Sequence, residues 1–350
     1  MDTPIKVKFL TKSKPGDDMR IWSIRFPGGI PVWGRCHFSF DRDDRDYDWL
    51  VVYDDLPSVS GERFTLWEEI LACPRAQTLL ITTEPSTVKV YGKAFLRQFG
   101  HVLTSQEPWV VRHPHAIYSQ TGLIWFYHAG NEMESYDYIS THIPRDKTAD
   151  IATVCSSKQQ KHTLHNARYE FTQKLKAVLP ALDIYGHGVR FIEDKAEALD
   201  PYRYHLAIEN HVYRHHWTEK LSDAFLGNCL PFYHGCPNAA DYFPEESFIP
   251  INIHHFEETA ERIKQAIRDN EYEKRRSAIL ESRRLVLECY SVFPLLSRLI
   301  TERTAPGPHT PPQPSQSILS RHALRRTSIS SAIGQGIEKL SVRLRHSMTR

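Results

Sequence analysis

Residues 205–235 read HLAIENHVYRHHWTEKLSDAFLGNCLPFYHG, and the succession of textures in this stretch sets the fold class. HLAI is a short apolar run of strand type that ends in the charged pair Glu209–Asn210. Seven residues later Thr218-Glu219-Lys220 opens an amphipathic helix, LSDAFLG, and CLPFYHG is a second strand run. Thr218 is a suitable N-cap, and Glu219 suits the positive end of the helix dipole. In an open α/β sheet, ligands bind beyond the carboxyl ends of strands and near helix N-termini. A carboxylate there accepts from ribose hydroxyls, and a lysine beside it neutralises a phosphate. Taken locally, a capped surface helix with a solvated Glu–Lys pair remains the stronger alternative.

The same alternation extends outward. IKVKFL (5–10), DWLVVYDDLP (48–57) and TLLITTEPS (78–86) read as strands, and KAFLRQFGHVL (93–103) reads as a helix. After a polar stretch around 140–160 come the strand IATVC, a helix over 167–179, and the strands LDIYG and SFIPI. Residues 256–290 form one long helical stretch. Buried strands alternating with helices indicate α/β domains with largely parallel sheets. The expected organisation is an α/β domain over 1–150 and a second over 151–303, facing an interdomain cleft. A Pro-rich linker over 304–317 leads to a basic amphipathic tail over 318–350.

In that tail Ile329, Ile333, Ile337, Leu340 and Leu344 recur at helical spacing, with Arg325, Arg326, Lys339, Arg343 and Arg345 around them. Such a helix fits an anionic membrane surface. A disordered basic tail, or a helix docked on a partner chain, is the alternative. The chain of 350 residues carries a net charge of only +2, yet residues 304–350 hold seven Lys/Arg against one acid, so the body is mildly acidic. Basic residues confined to one helix, rather than spread over a folded surface, argue against nucleic acid as a partner.

Six scattered cysteines without a CxxC pair read as reduced thiols. The N-terminus lacks the apolar core of a signal peptide, and no run approaches a membrane span. The expectation is a cytoplasmic protein attached to a surface by its tail. Asp41/Asp43, Asp44/Asp46 and Asp46/Asp48 form Asp-x-Asp pairs, but they precede a strand rather than follow one and read as a solvated loop. The histidine groups at 113/115, 211/215/216 and 254/255 lack partners at firm zinc spacing. No metal and no cofactor are expected.

Residues 208–235 resemble the α1,3/α1,4-fucosyltransferases, inverting enzymes of the GT-B type, whose motif is close to FENSxxxxYxTEK followed by a proline and a glycine. IENHVYRHHWTEK matches it, and the spacing from Asn210 to Thr218 and on to Pro231 and Gly235 agrees without a gap. The resemblance covers roughly 150–290 well and the N-terminal half only in isolated places. It implies a GT-B fold of two Rossmann-like α/β domains and a metal-independent transferase. The implied donor is a GDP-sugar, with L-fucose first, and the acceptor is a glycan hydroxyl.

The site residues are implied in the same way. A serine-rich segment leading to an arginine that opens a helix places Arg168 on the donor diphosphate. Glu209, Asn210, His216, Glu219 and Lys220 fall on the family's GDP-sugar segment. LLITTEPS presents Glu84 where the family places a glutamate after a strand, which implies a general base. Two departures, His211 for the FENS serine and His216 for the aromatic residue, keep another GDP-linked deoxysugar open, as for a surface polysaccharide or lipopolysaccharide. A catalytically inactive sugar- or nucleotide-binding relative is the second alternative.

Overall fold

The computed structural model describes residues 3–12, 17–58, 61, 64–130, 133–155, 164–304 and 316–348. The chain divides into two compact units, residues 1–121 with 292–350, and residues 122–291.

The N-terminal part opens with β1 (Ile5–Thr11), α1 (Asp17–Ser23), β2 (Val32–Trp33), β3 (Cys36–Ser39), β4 (Trp49–Tyr53) and β5 (Glu68–Ile70). It continues with β6 (Thr78–Ile81), α2 (Lys93–Leu96), β7 (His101–Thr104) and β8 (Ala116–Tyr118). Seven strands form one sheet in the order β2-β3-β1-β4-β6-β7-β8, parallel except for the β2–β3 pair. The central strands are apolar because both faces are covered: Val7, Leu50, Val51, Val52, Leu80 and Ile81 are fully buried. The helix expected over 93–103 is shorter than its pattern suggested. Its apolar residues split between α2, a turn at 97–100 and β7, and at the end of that turn Gly100 packs too closely on the Arg75 and Ala76 backbone to carry a side chain.

The second unit contains α3 (Tyr136–Thr141), β9 (Ala149–Val154), α4 (His165–Val178), β10 (Leu182–Tyr185) and β11 (Tyr202–Ile208). Then come α5 (Glu219–Leu226), β12 (Leu230–His234), β13 (Ile249–Pro250), α6 (Phe256–Arg268) and α7 (Glu271–Leu285). Its five strands run parallel in the order β10-β9-β11-β12-β13. The long helical stretch breaks into α6 and α7 at Asn270, which takes a left-handed φ of 52°.

Both expected domain boundaries are corrected. The segment 122–150 belongs to the second unit, because Trp125, Tyr127 and Ile139 enter the core around Phe171 and Phe225. The chain leaves that unit at 291/292 rather than near 303. The helix α8 (Val292–Arg303) then returns to the first unit, where Phe293 stacks on Phe26 with ring centroids 4.0 Å apart.

The basic amphipathic segment expected over 318–350 begins with a strand and packs on the first unit. Most of the Pro-rich linker, 305–315, lies outside the described residues. Beyond it, β14 (Ser317–Leu319) pairs antiparallel with β5 and buries Ile318 completely. Two helices follow, α9 (Arg321–Arg326) and α10 (Ile329–Met348). Arg321 donates to the Asp55 carboxylate and the Val90 carbonyl, so this segment is part of the first unit.

Candidate functional site

The site in the second unit begins where β11 ends. Glu209 follows the strand and is fully buried. Its carboxylate accepts from the Thr218 N–H at 2.8 Å and from the Thr218 hydroxyl at 2.7 Å. Thr218 in turn caps α5, accepting from the Lys220 N–H. The strand end and the helix start are thereby locked together across the loop 210–217. Within that loop His215 is left-handed, with a φ of 65°, and its N–H donates to Asn238 Oδ1. Trp217 packs at 5.0 Å on Phe243 and anchors the loop to the core.

Charge is concentrated at the start of α5. Lys220 Nζ lies 2.9 Å from Glu219 Oε1 and 3.6 Å from Glu209 Oε2. Burial pushes the Glu219 carboxyl up, but Lys220 and Lys195 outweigh it and hold the group well below the usual carboxylate range. Burial likewise works against the Lys220 ammonium, and the two glutamates overcome it, raising its pKa. For Glu209 burial dominates and the carboxyl is raised. Glu219 and Lys220 are therefore ionised and preorganised at a helix N-terminus, where backbone N–H groups already favour an anion.

A cavity of about 300 Å³ opens beside this pair. Of the six residues expected to bind a donor, Arg168, Asn210, Glu219 and Lys220 line it. Arg168 comes from the first turn of α4 and is buried, with Nη1 3.5 Å from the Ile208 carbonyl. Its Nε and the Asn210 Oδ1 are buried without hydrogen-bond partners among the described residues. Buried polar atoms of this kind are costly unless a ligand satisfies them. Glu209 and His216 do not line the cavity. Glu209 sits beneath it as the support of Thr218, and His216 is buried with its ring 5.4 Å from that of His211.

Among the lining residues not singled out from the sequence are Lys195, His205 and Asp223. Lys195 donates to Asp223 at 2.7 Å, and Asp223 also accepts from the Phe126 N–H. Burial raises the Asp223 carboxyl against the pull of Lys195. His205, in the middle of β11, is pushed down to about 3 by burial first and by Lys195 next. Its Nδ1 has no hydrogen-bond partner among the described residues. The available signal was Asp223 itself, a carboxylate within the otherwise apolar run of α5.

A larger hollow of about 620 Å³ borders β12 and β13, and none of the expected residues lines it.

Glu84 lies in the first unit, exposed, three residues beyond the C-terminal end of β6. Its carbonyl and that of Lys89 both accept from Gln106 Nε2, at 2.7 and 2.9 Å. Below this loop Asp54 accepts from Lys89 Nζ and Tyr91 OH at 2.6 Å and from Thr83 Oγ1 at 3.0 Å. Burial pushes Asp54 up, but Lys89 and these hydrogen bonds hold it below its ordinary value.

The Asp-x-Asp run is occupied by local contacts. Asp41 and Asp44 cap the N–H groups of Asp43 and Asp46, and Asp46 and Asp48 hold Lys6. Among the described residues no group of three or more His, Cys, Asp or Glu has metal-holding geometry.

Residues 144–275 match the model of the glycosyltransferase family 10 (fucosyltransferase) C-terminal domain, and the 300 Å³ cavity is built entirely from this segment. Over 100 residues the chain is 29% identical to the alpha-(1,3)-fucosyltransferase FucT of Helicobacter pylori. That alignment spans 29% of this chain and only 20% of the curated relative. A crystal structure of an alpha1,3-fucosyltransferase with GDP-fucose is similar over 83% of this chain and 93% of that one, at 16% identity and a TM-score of 0.46. A glycosyltransferase from Rickettsia africae ESF-5 is similar over 88% of this chain and 100% of that one, at 9% identity and a TM-score of 0.46.

Proposed function

We propose that this protein is a glycosyltransferase that moves a sugar, L-fucose first, from a GDP-sugar to a glycan hydroxyl with inversion at the anomeric carbon. The observation that carries the reading is the cavity of the second unit. Two cations, Arg168 and Lys220, and an ionised carboxylate, Glu219, meet there at a helix N-terminus inside the segment that matches the fucosyltransferase model. Arg168 and Lys220 stabilise the negative charge that collects on the departing diphosphate, and Glu219 accepts from ribose hydroxyls. The acceptor hydroxyl gives its proton to Glu84 as its oxygen bonds to the anomeric carbon. The bond to the diphosphate oxygen breaks, and GDP leaves with the electron pair. The charge on the leaving group is met by protein cations, so the reading needs no metal.

A second reading keeps the chemistry and changes the sugar. His211 and His216 stand edge to face, where the family motif has a serine and an aromatic residue, which keeps a GDP-linked deoxysugar other than L-fucose open.

Titration calorimetry with GDP, UDP and a series of GDP-sugars tests the proposal. GDP is expected to bind in preference to UDP, and Lys220→Ala is expected to weaken it by about tenfold or more, the effect of losing one charged hydrogen-bond partner. Glu84→Gln is expected to keep GDP affinity and lose turnover. Equal affinity for UDP, or GDP binding indifferent to Lys220→Ala, overturns the assignment. Full turnover in Glu84→Gln removes Glu84 from its role.

A further inference from the structure

We infer that the C-terminal helix α10 is a positioning element of the acceptor side, clamping the loop 82–92 that carries Glu84. The inference rests on the proposed role of Glu84, but the geometry of the clamp stands apart from that role.

The clamp has three contacts along the helix. Glu338 accepts the Lys93 N–H at 2.9 Å. This is a cap supplied from a distance, because Gly92, at the N-cap position of α2, has no side chain to cap with. One turn earlier, Gln335 donates to the Tyr91 carbonyl at 3.1 Å, and Arg325 of α9 donates to the Gln335 side-chain oxygen. Two turns later, His346 Nε2 lies 2.7 Å from the Ser86 hydroxyl, two residues from Glu84.

Gly92 fits this approach in two ways. Its φ is +91°, and a Cβ there would meet Gln335 Nε2 at 2.9 Å. Position 92 therefore needs glycine for its own backbone, and a side chain there would displace the end of Gln335 from the Tyr91 carbonyl.

His346 also reaches the next loop. Its Nε2 is 3.9 Å from Glu107 Oε1, its ring lies 5.1 Å from that of Trp109, and Arg345 stacks over the same tryptophan at 4.4 Å. Glu107 and Trp109 follow β7, as Ser86 follows β6. The helix thus spans the loops beyond the carboxyl ends of two adjacent parallel strands, the place where open α/β sheets bind ligands. Ser86 and Glu107 approach the same ring nitrogen, so the group is not a nucleophile relay, in which serine and carboxylate would use opposite nitrogens. His346 acts through the loop and is a positioning residue.

The orientation of α10 supports a specific clamp over a greasy one. Gln335, Glu338, Val342 and His346 share the side that meets the unit. Ile333, Ile337, Leu340 and Leu344 are more than half exposed on the opposite side. The docked side is therefore held mainly by hydrogen bonds with fixed geometry, which order a loop more sharply than non-directional apolar contact.

The test uses the full-length chain with Glu338→Ala and His346→Ala, singly and together. Hydrogen exchange of residues 82–93, and of the Lys93 amide above all, is expected to rise about tenfold or more in the double variant as the loop opens locally. At saturating donor, turnover is expected to fall about tenfold and the acceptor KM to rise, while GDP affinity stays within about twofold. His346→Gln, which can still bond Ser86, is expected to restore most of the loss. Unchanged exchange over 82–93 in the double variant overturns the inference, whatever the kinetics. If the double variant does not fold, the same readout applies to each single variant. If the parent chain neither binds GDP nor turns over, the functional reading fails and the exchange data still decide the clamp.

Discussion

His205 keeps one ring nitrogen unbonded in the middle of a buried strand, and that has a measurable consequence. Folded His205 titrates near 3 instead of its ordinary 6.5, so it stays neutral while the same residue in the unfolded chain takes up a proton. Below about pH 6.5 the unfolded state binds more protons, and stability falls as pH falls toward 3. Stability is complete above the unfolded pKa. The slope contributed by one such group reaches about 1.4 kcal/mol per pH unit. Urea unfolding between pH 7.5 and 4.5 is expected to show a shallower decline for His205→Gln than for the parent. Identical pH dependence in the two proteins refutes a neutral buried histidine. From α5, Glu219 and Lys220 face the same cavity and are ionised because each compensates the other's burial, whereas the charges that act on His205, Lys195 and Lys147, both disfavour its protonated form.

The strand–loop–helix passage from β11 to α5 works as an element because Glu209 bonds Thr218 twice. That lock leaves no room on its other side. A Cβ on Gly235 would lie 2.4 Å from Glu209 Cγ and 2.4 Å from the Tyr233 hydroxyl oxygen. Gly235→Ala is expected to cost about 1–3 kcal/mol, the usual penalty for overpacking a filled interior. It is also expected to weaken GDP binding by displacing Thr218 and with it Lys220. Gly334 in α10 provides the contrast, since nothing lies within 4 Å of its added Cβ. Gly334→Ala is expected to stabilise by about 0.5–1 kcal/mol, the helix-interior difference between the two residues. Thermal unfolding of the two variants checks both signs. A neutral Gly235→Ala shows that the strand end and the helix start are not rigidly coupled.

At the scale of the whole molecule, the C-terminal segment has two roles that the first unit separates. Through β14, α9 and the polar side of α10 it completes that unit, and through the exposed Ile333, Ile337, Leu340, Leu344 and Met348 it presents an apolar stripe. Among the described residues no helix is long and apolar enough to cross a membrane. With Lys339 and Arg343 beside it, we propose that the stripe takes an anionic lipid surface. Removing 318–350 would also strip Ile318 from the core, so Leu340→Asp with Leu344→Asp is the cleaner variant. It is expected to lose co-sedimentation with anionic vesicles while keeping its Tm, and retained vesicle binding removes the stripe as the contact. Sequence by itself determined the alternation of strands and helices, the parallel sheets, and four of the residues that meet in one cavity. The alternation and the sheets follow from apolar periodicity, which is local, and the four residues from the resemblance to a known family. Only the tertiary structure decided that 122–150 joins the second unit, that α8 returns to the first, and that β14 pairs with a strand almost 250 residues earlier. It also decided which side of α10 faces the protein. Helical spacing tells which side chains share a face, but the surface that face meets depends on shape and hydrogen-bond partners contributed by distant parts of the chain.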